Sequence, residues 1–427
     1  MSKRDCTKQV EKRQRIKTTT LIVGIDIGNE FNAIALMNKA GEVIGRYPKV
    51  YNSRKGFEFF KQAVIKAKGQ YGFKKVLVGM EPTGHYWRKI AFFGKEEGFE
   101  VRFVRTTAVK HQRELDESSS AKSDIRDAVT IANIVREGKY IDTVIEDGIL
   151  RQLRTLARVR ERIQRYNTGS KHALKAVLDD YFPELKKIFW SMKAKGLWAV
   201  LEHYPFPEEV LKGGVDKLTE VITKSSRRQG EAKKKADRVY KAAKGSVGLK
   251  AIGVGDRYRV KMYLEEVRRS EAQLKEIEFQ MKTLLSKVPS AEYILSIRGI
   301  GHLSAAVFLG ELGNPNNFKR YKQIIKYAGY DPIENDSGMN IGRKRVSKKG
   351  RWLLRKFLYF MGMRVIHRNS YFKKYYEEKL KGVNRYGDPL KKKEALCAVI
   401  IKLIKVIFAL LRDRRLFEAK APALARV

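Results

Sequence analysis

Four carboxylates stand out in a strongly basic chain of 427 residues. Asp26 closes the apolar run Leu21-Ile22-Val23-Gly24-Ile25, and Glu81 closes a second, Val76-Leu77-Val78-Gly79-Met80. Asp124 and Asp127 follow in Lys122-Ser123-Asp124-Ile125-Arg126-Asp127-Ala128. An acid that ends a strand sits at a sheet edge, where it meets ligands, and two acids three residues apart on a helix share one face. Hard oxygen donors of this kind suit Mg²⁺. The chain carries 90 Lys+Arg against 47 Asp+Glu, a formal net charge of +43. That excess implies a polyanionic partner, because bound phosphates release condensed counterions. The combination points to metal-assisted phosphoryl transfer on nucleic acid. Singly, each acid has an ordinary reading: Asp26 as a turn or N-cap residue, Asp124 and Asp127 as a solvated face neutralised by Lys122 and Arg126. The conjunction in one α/β unit is what counts.

The elements that must position these acids are legible as patterns. Residues 19–145 alternate strands and helices, which implies an α/β layered domain with a mixed sheet. Strands are expected over LIVGIDIG, FNAIALMN, Glu42 to Pro48, Lys75 to Met80 and Val101 to Val104. An amphipathic helix is expected from Ser53 to Gly69, with Phe57, Phe60, Val64 and Ile65 on its apolar side. A second runs from His85 to Glu97, with His85 read as a packing residue, and Ser123 can N-cap the helix of the acid pair. Pro82 enforces an abrupt exit after Glu81. Residues 1–18 read as a basic, disordered tail.

From 146 to 288 the pattern changes to long helices. Val260, Val267, Leu274 and Met281 recur at seven-residue steps, with Tyr263, Ile277 and Leu284 in a companion column that Ser270 interrupts. Such helices pair as an antiparallel coiled coil or form a dimer seam. The insert at 190–256 has no assignable fold. Residues 289–427 are expected to be mainly helical. Ile294 to Gly301 leads into an apolar helix in the shape of a helix-hairpin-helix, in which Gly299 and Gly301 let backbone approach a phosphate. A Gly/Ser/basic loop, Asn335 to Gly350, follows, and an apolar helix from Ala395 to Leu411 ends the pattern.

Several classes are disfavoured. No unbroken apolar stretch reaches the roughly 18 residues of a membrane span, and Met1 to Lys17 has no apolar signal region. Cys6 and Cys397 offer neither a disulfide framework nor zinc spacing, which fits a cytosolic compartment. The IDIG element also opens the phosphate-binding hairpin of actin-like ATPases and sugar kinases, but that reading needs a second, Gly-rich phosphate loop of Asp-x-Gly type downstream, and none is recognised.

At this point the chain resembles a family. GIDIG with Asp26, GMEPTGHY with Glu81 and KSDIRDA with Asp124 and Asp127 look like the DEDD transposases of insertion sequences, described as bridge-RNA-guided recombinases. The likeness continues through SIRGIGHLSA, KYAGYDPIENDSG, RVSKKGRWLLR and SYFKKYYEEKLKGVNRYGDPLKKKEALCAVIIKLI. It covers roughly residues 20–170 and 285–412, in order; the N-terminal tail and the 190–256 insert depart from it. It implies an RNase H/RuvC-like N-terminal domain whose four acids bind Mg²⁺, and a C-terminal transposase domain with a nucleophilic serine. The best match for that serine is Ser337, in Asn335-Asp336-Ser337-Gly338. Ser347 is the second candidate, although it reads more naturally as an N-cap for the helix carrying Trp352 and Leu354.

The resemblance implies double-stranded donor and target DNA, a structured guide RNA that supplies sequence choice by base pairing, and a bacterial or archaeal, nucleoid-associated cytoplasmic setting. It also implies a homodimer or tetramer with a composite active site, for which the heptad helices would supply the subunit contact. Arg343, Lys344, Arg345, Lys348, Lys349, Arg351 and Arg355 surround the serine loop and suit contacts to nucleic-acid backbone. The competing function is a RuvC-like nuclease or junction resolvase that uses the same acids with water as nucleophile. A non-catalytic nucleic-acid scaffold is a third, disfavoured by the presence of all four acids.

Overall fold

A computed structural model describes residues 3–82, 84–116, 123–141, 148–189, 191, 194–225, 229–250, 252–333, 345–383 and 387–418. The chain divides into two compact units, Met1–Glu146 and Asp147–Val427. The first contains α1 (Lys3–Arg15), β1 (Thr20–Asp26), β2 (Phe31–Met37), β3 (Val43–Tyr51), α2 (Arg54–Tyr71), β4 (Lys75–Met80), α3 (Trp87–Glu96), β5 (Glu100–Phe103), α4 (Thr106–Asp116) and α5 (Asp124–Arg136). Its five strands form one mixed sheet in the order β3-β2-β1-β4-β5. β1 pairs antiparallel with β2 and parallel with β4, and β4 pairs parallel with β5.

Alternation along β1 and β4 sends side chains to two different cores. Leu21, Val23, Ile25, Val76, Val78 and Met80 pack with Phe60, Val64 and Ala67 of α2 and with Ile90 and Ala91 of α3. Ile22 and Leu77 point the other way, against Ile131, Ala132, Ile134 and Val135 of α5. The buried stripe of α2 is Phe60, Val64 and Ala67; Ile65, expected on it, is 48% exposed. Ile65 follows Val64 directly, so it is turned about 100° round the helix, off that stripe.

Residues 3–15, expected as a disordered tail, form α1 instead. Ile16 is buried, Gln9 donates to the Glu137 carbonyl at 3.3 Å and Lys12 donates to the Tyr140 carbonyl at 2.7 Å. A basic segment thus meets the carbonyl-rich end of α5, where cations are favoured. Gly138 makes room for this by lacking a Cβ, which would lie 2.8 Å from the Gln9 carbonyl oxygen and 2.9 Å from the Arg13 nitrogen.

The second unit contains α6 (Gly148–Tyr181), α7 (Leu185–Phe189), α8 (Lys195–His203), α9 (Pro207–Ser225), α10 (Ala232–Lys244), α11 (Val254–Leu285), α12 (Ala291–Leu295), α13 (His302–Leu312), α14 (Tyr321–Ala328), β6 (Pro332–Ile333), β7 (Arg345–Val346), α15 (Trp352–Arg368), α16 (Ser370–Leu380) and α17 (Lys392–Asp413). α6 and α11 lie antiparallel: Arg160 bonds Glu278 at 2.8 Å, Asn167 bonds Ser270 at 2.7 Å and Ser170 bonds Glu266 at 2.7 Å. The heptad column is therefore used inside the chain. Val260, Val267 and Met281 are buried, which removes them as the seam between subunits that the sequence suggested. Ser270 interrupts the apolar column because it is the buried partner of Asn167, and a lone polar pair of this kind sets helix register.

The 190–256 stretch, unassigned from sequence, contributes α8, α9 and α10 to a core with Leu174, Val177, Leu178, Val260 and Leu264 from the ends of α6 and α11. The other ends of those two helices supply Leu153, Ala157, Met281 and Leu285 to a larger core built with α12 to α17. Among the described residues no helix is long and apolar enough to cross a membrane.

Candidate active site

The four acids of the sequence pattern line one cleft of about 500 Å³ in the first unit, together with Gly28, Asn29, Glu30 and Ala33. Asp26 and Glu81 arrive there through strand register. Ile25 pairs with Met80 in the parallel β1–β4 ladder, so the next residue of each strand emerges side by side at the carboxyl edge. Neighbouring strands are about 4.8 Å apart, and the carboxyl ends of parallel strands are where open α/β sheets bind ligands.

Asp124 and Asp127 reach the same edge because α5 lies unusually close to the sheet. Gly24 and Gly79 are directly paired in register. A Cβ at Gly24 would overlap the Ala128 carbonyl oxygen and lie 2.6 Å from the Ala132 nitrogen, and one at Gly79 would overlap the Val135 side chain. Ala33 and Ala35 of β2 meet Ala128 on the same face. Each glycine stands two residues before an acid, so glycine and acid face the same side of the sheet. The small residues admit the helix, and the acids meet its first turn. Sequence reasoning quoted both glycines without seeing this role; the signal was the shared spacing Gly-x-Asp and Gly-x-Glu.

α5 itself is well specified. Ser123 occupies the N-cap position in an extended conformation, but its hydroxyl makes no capping bond; its carbonyl accepts from the Asp127 nitrogen at 3.1 Å. Two acids in the first turn complement the positive end of the helix dipole. At the far end Lys139 N–H bonds the Ile134 carbonyl and Gly138 N–H the Val135 carbonyl, a Schellman stop. Asp127 is 5% exposed, whereas Asp124 is open to solvent.

The rim of the cleft is pinned by two asparagines that sequence reasoning passed over. Buried Asn32 donates to the Asn52 side chain at 2.7 Å, and Asn52 donates to the carbonyls of Gly28 and Asn29 at 3.1 and 2.7 Å. An asparagine inside the apolar strand FNAIALM was the available clue. Glu30 adds a fifth, exposed carboxylate to the lining. His85, read as a packing residue, is exposed and lies tilted against Tyr86 with ring centroids 4.2 Å apart.

A cleft bordered by carboxylates in this way fits a hard divalent cation in donor type. Among the described residues, no three acidic, histidine or cysteine groups already close around one point. The acids border an open cleft, so ligand positions remain for water and for a substrate's phosphate oxygens, as Mg²⁺ favours.

In the second unit, Ser337, Arg343 and Lys344 lie outside the described residues. The chain enters that segment from β6 and leaves it through β7, which pair as a short antiparallel ribbon with Ile333 opposite Arg345. Ser347 is not an N-cap: α15 begins at Trp352 with Arg351 in the cap position. The Ser347 hydroxyl instead donates to the Asp331 carboxylate and accepts from the Lys349 nitrogen at 3.3 Å.

The basic residues around this loop divide into two groups. Arg345, Lys348 and Lys349 are exposed. Arg351 and Arg355, expected to contact nucleic acid, are engaged internally. Arg351 bonds Glu311 at 3.0 Å and lies over the Tyr327 ring, and Arg355 bonds the carbonyls of Ala328 and Lys348 at 3.2 and 3.0 Å. Their guanidinium donors hold the loop to the helical core. Gly299 is likewise explained by packing: its φ is 107°, and a Cβ there would press on the α15 backbone, 3.1 Å from the Arg364 carbonyl oxygen. Gly301 caps α13 and faces open space.

Two family models match the chain in order, one for DEDD transposases of the IS110 type over residues 23–183 and one described as "Transposase IS116/IS110/IS902 family" over residues 291–377. This chain belongs to the IS110/IS116/IS902 family of transposases. Among curated proteins it is 23% identical to an IS110 insertion-element protein of Streptomyces coelicolor, over 77% of this chain and 80% of that one. A pilin gene-inverting protein of Moraxella lacunata is 25% identical over 38% of this chain and 50% of its own length. The transposase of insertion sequence IS1111A from Coxiella burnetii is 26% identical over 29% of this chain and 34% of its own. The first family model spans all four acids, and membership in a transposase family makes the chain an enzyme that cuts and rearranges DNA.

Proposed function

We propose that this transposase cleaves and rejoins DNA through a covalent phosphoserine intermediate, with Asp26, Glu81, Asp124 and Asp127 holding Mg²⁺ and Ser337 as nucleophile. The observation that carries the reading is the convergence of the four acids on one cleft at the carboxyl edge of β1 and β4. The strand order β3-β2-β1-β4-β5, with its antiparallel half and parallel half, supports an RNase H/RuvC-like layout. Bound Mg²⁺ supplies charge neutralisation at the scissile phosphate and stabilises the leaving oxygen.

The chain's own groups do the rest. Ser337 Oγ forms a bond to phosphorus, the bond to the leaving oxygen breaks, the hydroxyl proton passes to solvent and the leaving oxygen takes one up. The serine ester keeps the energy of the phosphodiester, so attack by a new strand end reseals DNA without ATP. Arg345, Lys348 and Lys349 contact DNA backbone beside it. A structured RNA guides site choice by base pairing, and the working form is a homodimer or tetramer.

The test is a denaturing gel of end-labelled DNA after reaction. Wild type should give a protein–DNA adduct that Ser337→Ala and Asp26→Ala each abolish while RNA binding survives; Ser347→Ala should retain it. Strand exchange by Ser337→Ala at the wild-type rate overturns the serine assignment. One observation favours a second reading, hydrolysis by water: the acid cleft is complete within one compact unit. That reading requires free cleaved ends and no adduct.

A further inference from the structure

A second cleft, of about 1000 Å³, lies in the second unit and is lined by none of the residues assigned to the chemistry above. α6 forms its floor, Tyr263 of α11 one wall and Trp352, the first residue of α15, the other. Arg158, Arg162 and Arg165 point into it at four- and three-residue steps, which is one face of one helix. Tyr166 and Trp352 are 57% and 47% exposed, an unusual outlay of aromatic surface to water. Arg165 lies over the Trp352 ring at 5.1 Å. Arg162 makes no ion pair among the described residues, whereas Arg158 pairs with Glu311 at 3.0 Å and Arg165 lies 3.9 Å from Glu161; the single acid of the lining, Glu266, is engaged by Ser170 at 2.7 Å. Farther along the same face, the small residues Gly169 and Ala173 leave the floor unobstructed.

Guanidinium groups spaced along a groove with exposed aromatic rings at its side are the two components of single-strand recognition. Cations follow the phosphates, and flat rings receive unpaired bases, which a paired duplex hides in its stack. The cleft is also at the upper end of the 300–1,000 Å³ range of small-ligand sites. We infer that this cleft binds a single-stranded stretch of nucleic acid, with an unpaired base stacked on Trp352 and the flanking phosphates on Arg162 and Arg165. The strand is an unpaired segment of RNA or a DNA strand opened from its duplex; both present the same phosphates and base faces.

The test uses full-length protein and fluorescence polarisation with labelled 12-nucleotide RNA, the matching DNA strand and the corresponding DNA duplex across a salt series. Arg162→Ala/Arg165→Ala should weaken single-strand binding about tenfold or more and reduce the slope of log affinity against log salt by about 1.4, at roughly 0.7 per phosphate contact. Trp352→Ala should cost single strands about tenfold, Trp352→Phe should restore most of it, and the duplex should change less than about threefold. A loss confined to RNA or to DNA supports the inference and names the occupant. Unchanged single-strand affinity, or an equal loss on duplex, overturns it. Binding is scored without cleavage, so the outcome is separate from that of the serine and acid assignments.

Discussion

The two units use carboxylates in opposite ways. In the first, Asp26, Glu81, Asp124 and Asp127 border an open cleft at a sheet edge, carried there by strand register and by two glycines that admit a helix. In the second, Glu161 and Glu311 are 2% and 1% exposed and are surrounded by cations: Lys356 and Arg165 at Glu161, Arg158 and Arg351 at Glu311. Burial pushes the Glu311 pKa up, but the hydrogen bond and charge of Arg158, and then Arg351, outweigh it, so the group lies below the ordinary carboxylate range. An acid sealed among arginines ties helices together and has nothing left for a metal. The acids of the first unit instead border an open cleft at the sheet edge. Residue type is common to both; access and surroundings separate them.

The sharpest way to break this contrast is to exchange the outcomes. Glu311→Ala should destabilise the second unit by about 3–5 kcal/mol, because two arginines lose a buried partner; denaturant unfolding measures it. An unfolding free energy within about 1 kcal/mol of wild type would mean that the buried carboxylate does not tie α6, α13 and α15 together. The same group sets a pH signature. Its folded-state pKa is depressed, so its stabilisation is full above the ordinary carboxylate value of 4.5 and is lost as pH falls below it. Asp26→Asn should leave the unfolding curve nearly unchanged and lower DNA cleavage by about 10²–10³-fold, or about 3–4 kcal/mol of barrier. Equal losses of stability and cleavage would erase the distinction between the two kinds of acid.

Gly24→Ala tests the platform beneath the cleft. Overpacking against Ala128 and Ala132 should cost about 1–3 kcal/mol and reduce cleavage by shifting Asp124 and Asp127, although no acid has been removed. Normal stability and normal activity together would show that α5 can ride higher without consequence. The smallest effect is expected at the α6–α11 seam, where Ser270→Ala leaves the buried Asn167 amide short of a partner and should cost about 1 kcal/mol. A thermal melt reads it, with cleavage by correctly folded protein preserved.

Much of the first unit was visible in one dimension because its signals are local. Apolar runs with period two, ended by acids, place Asp26 and Glu81 at strand ends, and the three-residue spacing puts Asp124 and Asp127 on one helical face. The insert was opaque because α8 to α10 bury themselves against the ends of α6 and α11, which lie beyond it on either side, and no short window spans both. The basic loop misled for a related reason: Arg345 and Arg351 look alike in sequence, yet one is exposed and the other is bonded to Glu311, forty positions upstream.

By itself the sequence determined the acids, their elements, the charge that seeks a polyanion and the motifs of a transposase family, since each depends on residue type and short-range spacing. The tertiary structure alone decided that Gly24 and Gly79 stand opposite each other beneath α5, that the heptad column faces inward, that α1 is folded onto the end of α5, and that three arginines and Trp352 share a cleft. Those facts depend on register and on close approach between distant segments. Both are set by packing of the whole unit, in which one Cβ of steric overlap is enough to move a helix.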